Sequence, residues 1–450
     1  MNEPQPRPPV AKKINTTNTR HKITRNDEYA WMRDDNWQEV LRNPDQLRSD
    51  IQEYLESENS YTDAVLKTGE TLRQKLYNEM RGRIKENDSS PPSSKGDWAW
   101  FSKYESGQEH QQICRQRITS SHSDNIPDIV LDANKESTGL DYFKLGGTAI
   151  SPRQEYLAWA HDAKGSEYFT VKIRDISTDT DLPDILTNTS GAIAWSLDAK
   201  FIFYILLDEN HRPSKVMRHK LGAEQADDVM VYEEEDPGFF VSLSQSRSDD
   251  LIFISAHDHE TSEVHLIDAA KPEQKPITIA FRQQHIEYDV SHDAKRNRLV
   301  ILTNKDAVDF QLMWADIDTP DRWHELVPHK KGALILEVAA FENFIVWLYR
   351  EKALPKIKIL STETNSVTEI TFQEAAYDVS LDTGLEYNTN MVRFAYTSMT
   401  TPRQIFDYDM STGDRNMVYE QSVPSGHNAK DYITKRLWAP IGGDEQEIPI

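Results

Sequence analysis

The sequence predicts a mainly β protein, a seven-bladed β-propeller preceded by an N-terminal helical segment. One observation is a recurring unit of turn, short apolar strand, polar loop and second strand, clearest at residues 151–178. Another is the spacing of these units, roughly 44 to 59 residues, because a period near this length built only from short strands is typical of propeller blades. The third is that apolar residues at helical spacing are confined to about the first 85 residues. The apolar strands of the seven units begin at Trp98, Leu157, Phe201, Leu251, Leu299, Phe344 and Met391.

The unit at residues 151–178 shows why strands are expected. Residues 151–154 signal a turn, residues 156–160 are a short apolar run, and a polar loop with Gly165 follows. Residues 169–173 alternate apolar and polar side chains, which places one face in a core and the other in water. Because no blade buries both faces alone, the units must pack side by side around an axis. A β-sandwich is the alternative, but it needs no fixed period and rarely exceeds roughly 300 residues as one domain.

The segment before the units is predicted to be an arm followed by helices. Residues 1 to about 20 are polar and proline-rich, so we expect an extended arm. Asn43 and Pro44 are suited to the N-cap and first position of a helix, and Gly69 is expected to divide two helices. The apolar residues at helical spacing are Leu47, Ile51, Tyr54, Leu55, Leu72, Leu76 and Met80. We therefore expect an N-terminal part at residues 1–85, a propeller at residues 86–425 and a further part at residues 426–450.

The composition narrows the function classes. A chain of 450 residues with 38% hydrophobic and 28% charged residues is typical of a globular protein. The net charge of -23 argues against nucleic acid as a partner and is compatible with cationic ligands, although acidity also serves solubility. Cys114 is the only cysteine, the N-terminus has no apolar signal region, and the longest apolar run, at residues 201–207, is too short to span a bilayer. We expect a cytoplasmic protein with no membrane partner.

Several stretches, in order, resemble the N-terminal part of serine peptidases of the prolyl oligopeptidase family, and within it oligopeptidase B. The resemblance covers essentially the whole chain, and it depends on the order and spacing of the stretches rather than on one motif. They are residues 29–35 (Tyr-Ala-Trp-Met-Arg-Asp-Asp), 53–61, 79–84, Asp198, 208–213, 218–219 and 432–437.

The resemblance implies a fold and a function. In this family a seven-bladed propeller caps an α/β-hydrolase domain that is assembled from an N-terminal helical segment and the C-terminal part. Residues 1–85 would then belong with the hydrolase domain, and residues 426–450 would be a linker and its first hairpin. The family cuts short peptides, oligopeptidase B after Lys or Arg, and the propeller excludes folded proteins. In the absence of that domain, Tyr29, Trp31, Trp37, Leu47, Ile51 and Leu55 are expected to lose much of their burial.

No catalytic residue is predicted within these residues. The nucleophile of the family sits in a G-x-S-x-G turn, and no two of the 17 glycines stand four residues apart. The resemblance places the catalytic Ser, Asp and His after the position of Ile450. A triad built from other residues stays open, but no pattern indicates one.

Other candidate patterns favour structural interpretations. Residues 257–260 with His265 could bind a metal, but a solvated hairpin tip fits this stretch better. In residues 324–329 two histidines stand five apart, unlike those of a zincin helix, so we expect a loop there. Residues 233–236 could attract a cationic peptide, although a solvated acidic loop is favoured. We predict no cofactor and no metal. A β-turn is favoured for Asp175, Asp179 and Asp181, and blade core for Trp195, Trp314 and Trp347.

Two functions remain in competition. One is the substrate-gating part of an oligopeptidase B-like peptidase that acts on short, possibly basic peptides, inactive without the missing α/β-hydrolase domain as its partner. The alternative is a standalone propeller that binds a peptide or protein on one face. The helical N-terminus and residues 432–450 favour the first, because a binding module has no use for them.

Overall fold

The computed structural model describes residues 6–118, 126–441 and 447–449. The N-terminal part begins with a hairpin, β1 (Thr16–Arg20) and β2 (Ile23–Asp27), so the last residues of the predicted extended arm are a strand paired with the residues that follow it. Three helices follow: α1 (Trp37–Arg42), α2 (Ser49–Leu66) and α3 (Glu70–Gly82). A 3-10 turn ending at Gly69 separates α2 from α3, which confirms the predicted division. Pro44 starts only a 3-10 turn, so the helix predicted there begins at Ser49 instead.

The rest of the described chain is mainly β, with one short helix, α4 (Ala133–Glu136). The first sheet contains β3 (Ser93–Lys95), β4 (Trp98–Lys103), β5 (Gln112–Arg117) and β6 (Asp128–Asp132). A seven-stranded sheet contains β7 (Lys144–Ile150), β8 (Tyr156–Asp162), β9 (Phe169–Asp175), β10 (Thr180–Trp195), β11 (Phe201–Leu207), β12 (Pro213–Lys220) and β13 (Val229–Glu233). A third sheet contains β14 (Phe240–Gln245), β15 (Leu251–His257), β16 (Ser262–Asp268) and β17 (Ile277–Ala280).

Three more four-stranded sheets complete the ring. The fourth contains β18 (Tyr288–Asp293), β19 (Arg298–Thr303), β20 (Gln311–Asp316) and β21 (His324–Val327). The fifth contains β22 (Ala333–Ala340), β23 (Phe344–Glu351), β24 (Leu354–Ser361) and β25 (Val367–Ile370). The last contains β26 (Asp378–Asp382), β27 (Met391–Thr397), β28 (Gln404–Asp409) and β29 (Arg415–Glu420). After it, β30 (Trp438–Pro440) pairs with β31 (Glu447–Pro449).

The prediction of seven four-stranded blades is wrong. The described residues form five four-stranded blades and one seven-stranded sheet, because the repeats that begin near Leu157 and Phe201 share a continuous strand. That strand, β10, pairs with β9 through its first part and with β11 through its last part. Register shifts on both sides of Thr189 mark where it changes partner.

Two glycines permit the bend of the seven-stranded sheet. Gly191 has a φ of +85°, in the left-handed region that favours glycine. A Cβ on Gly147 would lie 2.3 Å from the carbonyl oxygen of Gly191. The backbones of β7 and β10 can therefore touch at this point only because Gly147 lacks a side chain.

All seven predicted strand positions are confirmed. Each predicted start is the first or second residue of a strand, and each of these strands has a hydrogen-bonded neighbour on both sides. The apolar run marks the second strand of each four-stranded sheet, which is more completely buried than the first.

A buried serine forms the turn between first and second strands in three successive repeats. The hydroxyls of Ser151, Ser196 and Ser246 accept hydrogen bonds from the backbone N–H five residues later, at 3.0 Å in each case. The residue three after each serine has a positive φ. This serine turn explains the recurrent turn signals in the sequence.

Buried apolar clusters fill the spaces between sheets that are neighbours in sequence. One cluster joins the fifth and last sheets around Phe341 and Phe394, and another joins the first and seven-stranded sheets around Trp100 and Trp159. Each sheet therefore depends on its neighbours for one wall of its core.

The junction between the last and first sheets is closed by polar side chains. Arg393 on β27 donates to the carbonyl oxygens of Pro91 and Pro92 and to the hydroxyl of Ser93, at 3.0–3.2 Å. Asp407 holds the guanidinium in place with both carboxylate oxygens, at 2.6 and 3.0 Å. Two further contacts cross the same junction, from Tyr419 to Asp88 and from the N–H of Gly96 to Glu386.

We expect Arg393→Met to lower the free energy of unfolding by roughly 2–4 kcal/mol, because it leaves Asp407 and two backbone carbonyls without their donor. Urea unfolding followed by tryptophan fluorescence measures the change. Arg350→Met, at an exposed arginine on β23 of the fifth sheet, is the control and should change stability by less than about 0.5 kcal/mol. Equal stability of both variants would contradict the role of Arg393 in closing the ring.

Candidate functional site

The centre of the ring is identified by contacts between sheets that are not neighbours. Lys95 on the first sheet forms an ion pair with Asp249 on the third, at 2.8 Å. Arg247, also from the third sheet, donates to the carbonyl oxygen of Thr383 in the last sheet and lies 3.9 Å above the ring of Phe341 in the fifth. These contacts cross the axis and close one end of a central channel, the closed end. The opposite end is called the open end below.

Carboxylates line the channel wall beyond this closure. Asp289 on β18 and Asp378 and Asp382 on β26 are exposed on the first strands of their sheets, and Glu337 on β22 is half-buried. Although the side chain of Asp289 reaches solvent, the protein atoms that surround it displace most of its water, and this desolvation raises its pKa. Burial also raises the pKa of Glu337, and the negative charge of Asp289 adds to the rise, while the more distant Arg247 opposes it. The channel is therefore an acidic environment in which additional positive charge is stabilising.

Both terminal segments lie against the open end of the ring. The side chain of Gln38 contacts Asn210, and Arg42 stacks on Tyr168, both in turns at that end of the seven-stranded sheet. In the last sheet, Thr400 forms two hydrogen bonds with the C-terminal segment. Its carbonyl oxygen bonds to the ring of His427, and its hydroxyl bonds to the hydroxyl of Thr434. Helix α1 and the segment from His427 to Thr434 thus share one end of the ring.

Apolar side chains are exposed on these terminal segments. The predicted loss of burial is found for Tyr29 and Leu55 but is wrong for Trp31 and Ile51, which are 8% and 6% exposed. Trp31 is held by Tyr54 in an edge contact and by its indole N–H, which donates to the carbonyl of Lys12. Trp37 and Leu47 are half-buried. Further exposed apolar residues on the terminal segments are Leu66, Leu72, Leu76, Tyr77, Met80, Tyr432, Ile433, Leu437 and Trp438.

The hairpin expected within residues 426–450 is present but short. A 3-10 turn covers Ala429–Asp431, and the first strand of the hairpin is limited to Trp438–Pro440. Residues 442–446 of the expected hairpin lie outside the described residues.

The candidate metal residues at 257–260 form a hairpin tip between β15 and β16, as predicted. Asp258 accepts from the backbone N–H groups of Glu260 and Thr261, and Glu260 pairs with His285 at 2.6 Å. His265 lies away from the tip, on β16. Among the residues that the structure describes, no group of three or more His, Cys, Asp and Glu is arranged to hold a metal ion.

Two loop predictions are wrong. Residues 324–327 form β21, in which His324 stacks on Trp314. In the acidic run at 233–236, Glu234 is 6% exposed and forms an ion pair with Arg282 at 2.5 Å. Arg282, nearly fifty residues away in sequence, is the partner that a search for local patterns cannot find.

The remaining assignments are structural. Asp179 lies in the turn between β9 and β10, Asp181 is the second residue of β10, and both form ion pairs with the guanidinium of Arg174. Trp195 and Trp347 are buried in blade cores, as predicted. Trp314 is only half-buried and lies 3.7 Å from the guanidinium of Arg298.

A buried histidine between two carboxylates was not predicted. The Nδ1 and Nε2 atoms of His219 lie 2.7 Å from Asp228 and 2.9 Å from Asp184. Tyr204 donates to the second oxygen of Asp228 at 2.7 Å. The cluster binds β10, β11 and β12 to the loop before β13, a structural role inside the seven-stranded sheet.

A ring of sheets around a closed-ended acidic channel, with both terminal segments at its open end, defines a β-propeller domain. A family model described as prolyl oligopeptidase, N-terminal beta-propeller domain, matches residues 8–421. The chain belongs to this family, which confirms the resemblance found in the sequence.

Relatives and solved structures agree with this assignment. Dipeptidyl aminopeptidase BI of Pseudoxanthomonas mexicana is 32% identical over 98% of this chain, and Protease 2 of Moraxella lacunata is 26% identical over 98%. Oligopeptidase B from Leishmania major superimposes with a TM-score of 0.90 over 99% of this chain, at 27% identity. The chain spans 62% of the length of both curated relatives and 64% of that structure. Among the described residues, no helix combines the length and apolar character needed to cross a membrane.

Arg282 forms ion pairs with two carboxylates, Glu234 and Glu263, and this cluster predicts how stability depends on pH. Burial would raise the pKa of Glu263, but the neighbouring His265 and the backbone and side-chain donors of Arg282 outweigh it and hold this pKa at about 2. A folded-state pKa below the unfolded value stabilises the fold above pH ~4.3, and this stabilisation is lost as the pH falls toward 2. We expect Glu263→Gln to be less stable than the wild type at pH 7, with the difference shrinking between about pH 4.5 and pH 3.

Urea unfolding at a series of pH values measures this difference. Glu260→Gln, at the exposed tip of the same hairpin, is the control and should follow the wild-type profile. A Glu263→Gln variant whose deficit stayed constant down to pH 3 would show that the carboxylate charge is not what stabilises this cluster.

Proposed function

We propose that this chain is the substrate-gating propeller of an oligopeptidase B-like serine peptidase that cleaves short peptides after Lys or Arg. The catalytic Ser, Asp and His belong to an α/β-hydrolase domain, and these 450 residues supply none of them. The supporting observation is the match to oligopeptidase B over 99% of the chain with a TM-score of 0.90. A second solved structure, oligopeptidase B from Trypanosoma brucei with covalently bound antipain, matches with a TM-score of 0.88 at 26% identity.

The charge of the channel supports basic peptides as the substrate class. Asp289, Glu337, Asp378 and Asp382 face the space that a peptide would occupy, and the chain as a whole carries a net charge of -23. Lysine and arginine side chains would therefore be concentrated in the channel and near its open end. Burial raises the pKa of Asp289 and Glu337, so their charged forms are costly for the fold, and a cationic ligand beside them would relieve that cost.

The open end supports an α/β-hydrolase domain as the partner. The exposed apolar residues of α2, α3 and the C-terminal segment are grouped on the segments that lie at this end. Burying each large side chain would contribute roughly 1.5–3 kcal/mol, enough for a domain interface. A domain seated there would face the mouth of the channel, so that only peptides thin enough to fit between ring and domain reach its active site.

A cytoplasmic location belongs to the same proposal. Cys114, the only cysteine of the chain, is buried on β5, and burial raises the pKa of its thiol to about 11. A chain with no disulfide and an unreactive thiol suits a reducing compartment.

We expect these 450 residues alone to show no hydrolysis of chromogenic peptides that end in Arg or Lys. The members of a Ser–His–Asp triad act as a unit, and removing them leaves only weak residual activity. The assay compares the purified chain with a mock purification from the same host, which detects contaminating peptidases. Turnover that follows the chain through gel filtration and is blocked by a serine-directed inhibitor would contradict the proposal.

A further inference from the structure

The closed end of the channel contains a cavity with a cation at its edge. Its volume is about 430 Å³, and the first, seven-stranded, third and last sheets all contribute to its wall. One side of the wall is mainly apolar, formed by Trp100, Phe101, Ile113, Ile150, Ile193 and Leu385. The other side carries Gln245, Ser246, Arg247 and the Lys95–Asp249 pair.

Arg247 has donor capacity that the described protein does not use. Its Nη1 donates to Thr383, but its buried Nη2 donates to no acceptor among the described residues. No carboxylate in the described chain lies within ion-pair distance of it; Glu337 and Asp382 act on it only from farther away, and Asp249 is engaged by Lys95. Burial lowers the pKa of this guanidinium to about 10.

Three of the other arginines that link distant segments have carboxylate partners, whereas Arg218, which reaches Pro272, has none within ion-pair distance among the described residues. Arg174 pairs with Glu136, Asp179 and Asp181, Arg282 with Glu234 and Glu263, and Arg393 with Asp407. A buried donor without an acceptor costs free energy, so an unused guanidinium donor beside a cavity indicates a ligand that supplies the acceptor. A carboxylate is the acceptor whose planar shape fits a guanidinium.

We propose that this cavity binds the C-terminal carboxylate of a short peptide, with Arg247 holding the carboxylate and the apolar wall holding the last side chain. The order of charges along the channel fits such a ligand. Basic residues upstream would lie along Asp289, Glu337 and Asp382, while the free carboxylate reaches the guanidinium at the closed end. Glu337 and Asp382 also repel the carboxylate of the ligand. The site therefore favours a peptide that carries both a carboxylate and cationic groups, and it disfavours a simple anion.

This site is independent of the hydrolytic function proposed above, because binding is measured on the chain without any catalytic domain. The probes are acetyl-Lys-Ala-Leu with a free C-terminal carboxylate and the same peptide with a C-terminal amide, titrated by calorimetry at low ionic strength. We expect the free acid to bind about ten-fold or more tightly than the amide, the difference expected for a hydrogen-bonded charge pair.

Three variants locate the binding. Arg247→Gln should reduce the free acid to the affinity of the amide. Arg218→Gln is the matched control, because Arg218 also donates to one carbonyl, that of Pro272, and lies over an aromatic ring, that of Phe201, but outside the cavity. Thr148→Glu places a carboxylate on the exposed part of the cavity wall and should weaken the free acid more than the amide, which keeps the test valid if Arg247→Gln does not fold.

Equal binding of the two peptides by the wild type, or no binding of either at millimolar concentration, would overturn the proposal. So would a preference for the free acid that persists in a folded Arg247→Gln variant or that is undiminished in Thr148→Glu. None of these results would bear on the peptidase assignment.

Discussion

The closure of the ring is the constraint on which the rest of the structure depends. Every sheet is built from strands that follow one another in sequence, so no strand of the last sheet completes the first. Apolar cores join each sheet to the next, but the final junction is formed by Arg393, Asp407 and the carbonyls of Pro91 and Pro92. The channel has a fixed width only while this junction holds. Its cross-axis contacts, Lys95–Asp249 and Arg247–Thr383, depend on it in turn.

The two ends of the channel differ because the loops at each end differ in chemistry. At the closed end, short turns with buried serines bring charged side chains toward the axis, where they pair across it. At the open end, the turns support the terminal segments and leave the channel mouth facing the exposed apolar residues of those segments. A ligand would therefore meet an apolar interface first, then carboxylates, and a guanidinium last.

The sequence predicted strands well and their grouping poorly. Apolar runs beginning at residues such as Phe201 and Leu251 follow from local alternation and burial, so their positions were found. The period did not show that Thr180–Trp195 is one strand, because a bulge near Thr189 depends on contacts with both β9 and β11 rather than on a turn signal. The number of separate four-stranded blades was wrong for that reason.

The residues of the candidate site were even harder to predict from the sequence than the grouping of the strands. Glu234 was interpreted as solvated because its partner, Arg282, is distant in sequence. Arg247 carries no local pattern at all; it becomes informative only when the fold places it across the axis from Phe341 and Thr383 without a carboxylate partner. The catalytic prediction, in contrast, followed from a motif whose spacing can be checked residue by residue.

The central claim, that this ring gates a peptidase specific for basic residues, is tested most directly by the kinetics of a chimeric chain. The chimera consists of these 450 residues followed by the C-terminal part of Protease 2 from Moraxella lacunata. That part is the portion of Protease 2 that follows the region similar to this chain. A fluorophosphonate probe first establishes that the chimera contains a reactive serine. The account predicts cleavage of short peptides after Lys or Arg, with kcat/KM for peptides carrying an additional upstream lysine falling when Asp289→Asn and Glu337→Gln are introduced. A folded, probe-reactive chimera that cleaves elsewhere, or whose kcat/KM is unchanged by these substitutions, would contradict it.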